Sequence, residues 1–137
     1  MWKVVAIAAL ISGNVAAATT RPEVSWLIMR REAKPVLVQV WADRPVNPSL
    51  VWRVLSASGV KLSQMPEPSL VDGYEYSYGE CTAGGKLAPE VIAEIKVGER
   101  SPVALEVRRA WALDPASKTF KESDPHGLVC YNSDYGF

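Results

Sequence analysis

The sequence is poor in the side chains that most often carry chemistry. Its 137 residues include a single histidine, His126, and two cysteines, Cys81 and Cys130. One imidazole cannot assemble a His-rich metal site, and the Asp124-Pro125-His126-Gly127 context reads as a surface turn. No serine sits in a GxSxG-like elbow: Ser77, Ser101 and Ser123 all lack the flanking glycines, and nothing places a base beside them. Gly84-Gly85 lacks the residues that make a phosphate-binding loop. No cofactor motif, internal repeat or low-complexity tract is present. Neither sign of charge dominates, with 15 Lys plus Arg against 15 Asp plus Glu. Binding to nucleic acid draws on counterion release by clustered cations. The densest basic sites here are two pairs, Arg30-Arg31 and Arg108-Arg109, which read as solvated side chains, so nucleic acid is not expected as a partner.

Long hydrophobic runs are missing as well. A membrane-spanning helix needs about 20 apolar residues, whereas the run Val4–Ile11 holds eight and charges or prolines interrupt every later stretch. No transmembrane span is expected. That short run has a different meaning. Lys3 precedes it, Ser12-Gly13-Asn14 breaks it, and Ala16-Ala17-Ala18 offers small side chains to a signal peptidase. A basic start, a short apolar core and an A-x-A-like site predict a cleaved secretory leader over 1–18, cut after Ala18. One compact domain, 19–137, then remains, long enough to bury a core. The expected address is the periplasm or the exterior, and the oligomeric state stays open.

Both cysteines fall in the exported part. Two thiols in an oxidising compartment favour a Cys81–Cys130 disulfide. Closing a loop of that length stabilises by about 4 kcal/mol in the chain-entropy model.

Periodicity along the chain predicts an α+β fold. Pro22–Ala33 fits a helical face through Val24, Leu27, Ile28 and Arg31, with Pro22-Glu23 at its start, although Val24, Trp26 and Ile28 also alternate as a strand would. The helical reading is adopted. Val36–Ala42 (VLVQVWA) is the clearest strand, apolar on both faces and central. Asn47 and Pro48 suit a helix start and Gly59 a left-handed C-terminal residue, with Leu50, Val51, Val54 and Leu55 as one stripe, so a second helix is predicted over 48–58. The stretch 60–70 reads as irregular. From Val71 a two-fold pattern runs to Cys81, followed by strands over 90–97, 103–113, 118–122 and 127–131. The C-terminal half is thus an antiparallel meander carrying one or two helices on one face. The disulfide would tie its last strand to the tyrosine-rich one.

Lys34-Pro35-Val36-Leu37-Val38-Gln39-Val40-Trp41-Ala42-Asp43 is similar to the opening strand of a thioredoxin. That family continues with Trp-Cys-Gly-Pro-Cys. Here Arg44-Pro45-Val46-Asn47-Pro48 follows, so no redox role carries over. Val129, Tyr131, Tyr135 and the terminal Phe137 likewise resemble the end of an outer-membrane barrel strand, but the chain is short for such a barrel.

Two function classes remain. Tyr74, Tyr76 and Tyr78 alternate with Glu75 and Ser77. They form either a recognition stripe, since tyrosine offers large contact area with one polar end, or a core-facing stripe whose hydroxyls reach water. Asp72, Glu75 and Glu80 lie near them in sequence and suggest a motif-less hydrolase by analogy with paired-carboxylate chemistry. Glu90 and Glu94 read as the wet face of a strand. The expected function is a binding module of the cell envelope, such as an inhibitor, immunity-type or accessory protein of another envelope or secreted protein. The alternative is the hydrolase near Tyr74–Tyr78.

Overall fold

The computed structural model describes residues 21–29, 33–44, 46, 48–97, 102–104 and 106–131. The leader 1–18, Arg30-Arg31, Asn47, the turn 98–101, Tyr135 and Phe137 lie outside the described residues.

Two four-stranded antiparallel sheets form a sandwich. The first contains β1 (Val24–Ile28), β2 (Val36–Ala42), β3 (Leu50–Ser56) and β4 (Lys61–Pro66) in that spatial order. The second runs β10 (Phe120–Ser123), β9 (Val107–Leu113), β8 (Val91–Lys96), β5 (Tyr74–Tyr78). A small third sheet, β11 (Leu128–Cys130), β6 (Cys81–Ala83), β7 (Lys86–Leu87), completes the set. The antiparallel character of the C-terminal half is as expected, but the α+β class is not. The described residues contain no helix and are all-β, in three antiparallel sheets.

Both predicted helices are strands. In 22–33, the alternation Val24, Trp26, Ile28 prevails: these residues face inward and stand opposite Val40, Val38 and Val36 of β2. In 48–58, the stripe Leu50/Val51/Val54/Leu55 misleads because positions four apart share a face at both the helical and the strand period. Trp52 decides the case. A helix would have left its indole off the stripe, whereas the strand buries it completely beside Val54, and a tryptophan side chain represents about 150–250 Å² of burial. Gly59 is left-handed as expected, but it follows a strand rather than a helix. Gly59, at φ +94°, closes the β3–β4 hairpin, where Ser56 N–H donates to the Val60 carbonyl at 2.8 Å. The stretch expected to be irregular is mostly β4, an edge strand on which Pro66 is tolerated at the end.

The main core lies between the first two sheets. Val36, Val38, Val40, Trp52 and Val54 meet Ile92, Trp111, Leu113 and Phe120. Trp52 is its hub, edge-on to Tyr76 at 5.5 Å, Trp111 at 5.5 Å and Phe120 at 5.6 Å between ring centroids. Such contacts add about 0.5–1.5 kcal/mol each beyond burial. At one lateral edge the Trp26 indole lies against Gly79 and donates to the Pro89 carbonyl at 2.8 Å.

The second sheet is covered on its other face too. Cys81 and Cys130 stand directly opposite each other on β6 and β11 and form the disulfide. Together with Leu128 they pack on Ala93 and Ile95, while Ala88 and Leu128 meet Val91 and Ala110. The bridge therefore ties the last strand to β6 rather than to the tyrosine strand. Gly79, at φ +68°, breaks the expected 71–81 strand before Cys81. β8 is consequently buried on both faces, and the expectation of a wet face through Glu94 fails.

Candidate functional site

Tyr74, Tyr76 and Tyr78 stand in register with Lys96, Glu94 and Ile92, so the stripe faces the first sheet. All three rings are half-buried. The Tyr78 hydroxyl donates to the Glu67 carboxylate, Tyr76 to the Pro68 carbonyl, and Tyr74 to the Glu106 carboxylate. Trp52 Nε1 donates to the same Glu67 oxygen at 2.8 Å. Burial, reinforced by the Glu67 charge, pushes the Tyr76 and Tyr78 phenols far above their ordinary range. They remain proton donors at any physiological pH. Their local role is to hold the Glu67–Pro68 crossover that carries the chain from β4 towards β5.

Beside them lies a feature that sequence reasoning missed. The ladder between β8 and β9 shifts register after Glu94, which faces Arg109 while Ile95 faces Val107. Arg108 is the extra residue, and such a bulge re-aims side chains. Both arginines reach Glu94. Arg108 Nη1 lies 2.6 Å from Oε1, Arg109 Nε lies 2.9 Å from Oε1, and Arg109 Nη2 lies 3.1 Å from Oε2. Arg109 Nη2 also donates to the Ser69 carbonyl at 2.9 Å. Glu94 is fully buried, whereas the Arg108 and Arg109 side chains keep 38% and 27% of their exposure. The guanidiniums also lie over aromatic rings, Arg108 on Tyr74 and Arg109 on Trp111. Burial alone raises the Glu94 pKa, but hydrogen bonds and charge from Arg109 and Arg108 outweigh it and hold the carboxyl below its ordinary value. A carboxylate with both oxygens committed to guanidiniums does not exchange protons near neutrality.

The remaining carboxylates are dispersed. Glu75 stands opposite Ile95, with parity opposite to the tyrosines; Asp72 and Glu80 are exposed. His126 is exposed, and its backbone N–H donates to Asp124 Oδ1 at 2.9 Å within the turn before β11. Among the described residues no group of three His, Cys, Asp or Glu side chains is placed to hold a metal ion.

The outer face of the first sheet forms a second candidate. None of the described strands packs on it. Ser25, Gln39, Arg53 and Gln64 stand in one cross-strand row through all four strands. Gln39 Nε2 donates to Ser25 Oγ at 3.3 Å, and Arg53 Nε donates to Gln64 Oε1 at 2.8 Å. Trp41 joins the row: its Nε1 donates to Gln39 Oε1 at 2.8 Å, and the Arg53 guanidinium lies 4.9 Å from its ring centroid. A second row, Leu27, Leu37 and Leu55, runs parallel to it. β2 is therefore central in its sheet, as expected, but only Val36, Val38 and Val40 are buried. Its alternation of Leu37, Gln39 and Trp41 was the available signal for this face. Compared with protein-family models, curated proteins and solved structures, the chain matches none of them.

Proposed function

We propose that the chain is exported behind a leader cleaved after Ala18 and acts as a binding module for another envelope or secreted protein, gripping it through the outer face of the first sheet. One observation carries this reading. Among the described residues the second sheet is covered on both sides and the first on one only, and the side on which no described strand packs holds Trp41 and Arg53 in contact. Tryptophan and arginine dominate the energetics of protein interfaces, especially where their geometry is set before binding. The Leu27/Leu37/Leu55 row adds apolar contact area beside them. Within the tyrosine stripe, Tyr74, whose hydroxyl bond lies at the exposed end beside Arg108, is assigned to a second partner contact on the second sheet, apart from that face. Export is supported by the leader pattern and by the disulfide, which belongs to oxidising compartments. The hydrolase alternative is disfavoured because Glu75 has parity opposite to the tyrosines and Asp72 and Glu80 are exposed rather than convergent.

The test is capture from envelope extract with the wild type and with Trp41→Ala, followed by affinity measurement on the recovered partner. Truncating an anchor of this kind costs about 2 kcal/mol or more, roughly 30-fold in Kd. Equal affinity of the two forms for every recovered partner refutes the assignment of this face. N-terminal sequencing of the native protein checks the leader, with Thr19 expected first.

A further inference from the structure

Between the first sheet and the turn joining β9 to β10 lies a groove of about 360 Å³ lined by Lys34, Pro35, Val36, Ser56, Leu62 and Lys118. The volume is that of a small-ligand site. Two backbone irregularities converge on it. The β3–β4 ladder shifts between Val54 and Leu55, pairing Leu55 with Lys61 and Val54 with Ser63, so Leu62 is the unpaired bulge residue. Lys118 is the one described non-glycine residue at positive φ, +60°. Left-handed backbone at a lysine is strained and persists where neighbours enforce it. Here Lys118 N–H donates to the Asp114 carbonyl, and its own carbonyl accepts from Ser63 Oγ. Leu62 thus brings an apolar side chain to the groove, while Lys118 lines it from the turn with its ammonium resting on the Pro115 carbonyl.

The lining chemistry narrows the occupant. The charged residues of the described lining are Lys34 and Lys118; Asp114, in the same turn as Lys118, has its carboxylate engaged by Ser117 and Lys121. The floor is Val36, a core residue, next to Pro35, which has no N–H to offer. Val36 stands in register with both Ile28 and Ser56, and Ser56 N–H is already paired with the Val60 carbonyl. The Ser56 hydroxyl is engaged by Ser58 and by the Val60 N–H. A peptide would find little there for its backbone, whereas an unbranched hydrocarbon needs none of these groups. We propose that this groove binds a free fatty acid, with the acyl chain on Pro35, Val36 and Leu62 and the carboxylate between Lys34 and Lys118. The Lys118 ammonium rests on the Pro115 carbonyl, from which its flexible stem can swing to an arriving anion.

Titration calorimetry with sodium dodecanoate below its micellar range tests the proposal. One molecule per chain is expected, with affinity rising about fourfold per added methylene from octanoate to decanoate. Dodecyltrimethylammonium should bind at least tenfold more weakly. Lys118→Gly fits the positive φ without strain and so preserves the turn; combined with Lys34→Gln it should weaken dodecanoate at least tenfold. Leu62→Ser should flatten the dependence on chain length, and an unchanged thermal midpoint establishes that each variant is folded. Absence of saturable binding to the folded wild type, equal affinity for the cationic amphiphile, or no response to the double variant overturns the assignment. Tighter binding of an acidic peptide such as Asp-Leu-Leu-Asp overturns it in favour of a protein ligand. Trp41→Ala should leave dodecanoate binding unchanged, which separates this groove from the outer face; loss of binding in that variant places the ligand elsewhere and overturns the groove.

Discussion

Replacing Glu94 with glutamine removes the one negative charge that two arginines share, while keeping the size and one acceptor oxygen. In the folded protein the carboxylate is fully buried and accepts three bonds from Arg108 and Arg109. Removing one member of a buried ion pair costs about 3–5 kcal/mol when its partner is left dry. The guanidiniums here are only partly buried, so water screens them and the figure falls to about 2–3 kcal/mol. In urea, with m of about 1–3 kcal/mol per molar, the unfolding midpoint should drop by about 0.7–3 M with m unchanged. Arg109→Leu should cost more than Arg108→Leu, because Arg109 supplies two of the three bonds and also holds the Ser69 carbonyl. The sign with pH follows from linkage. The folded pKa of Glu94 lies below the unfolded carboxylate value of about 4.3, so its contribution is complete above that pH and is lost as pH falls through the folded pKa. The gap between wild type and Glu94→Gln should therefore narrow on acidification below about pH 4.3. A destabilisation under 0.5 kcal/mol at pH 7, or a gap that widens in acid, refutes this account of the ion-pair centre.

Gly79→Ala should destabilise by about 2–4 kcal/mol, combining left-handed strain with overpacking, because a Cβ there would sit 2.6 Å from the Trp26 indole nitrogen; denaturant unfolding reads it, and a neutral result refutes the close approach. The double variant Cys81→Ala, Cys130→Ala should lose about 2–4 kcal/mol. Hydrogen exchange should rise first in β6, β7 and β11, with the Trp52 core protected longest; uniform loss of protection refutes that order. Asp114 is held down at about 2 by hydrogen bonds from the Ser117 hydroxyl and backbone, with Lys121 adding to them. The β9–β10 turn should therefore keep its geometry to lower pH than an ordinary aspartate turn would, as the Ser117 amide shift followed by NMR can show.

Some of this protein was legible residue by residue. The cysteine pairing was legible because the chain holds just two thiols, and the turn at Gly84-Gly85 was marked by its glycines, both of which adopt positive φ. The strand at 36–42 was announced by its short β-branched apolar run and the one at 90–97 by alternation. Other features belonged to long-range partners. Leu50/Val51/Val54/Leu55 satisfies both periods, and only Tyr76, Trp111 and Phe120 from the opposite sheet decide that Trp52 must face inward. Glu94 looked wet because alternation assigns it a face but cannot say what covers that face. The covering layer comes from the first sheet and the crossover, and the neutralising charge comes from a bulge that no local pattern predicts. The Trp41–Arg53 pair likewise depends on strand register. Local sequence determines turn geometry, covalent closure and alternation, because these depend on a few neighbouring dihedrals. Which face is dry, and which charges meet, is settled only when distant strands come into register.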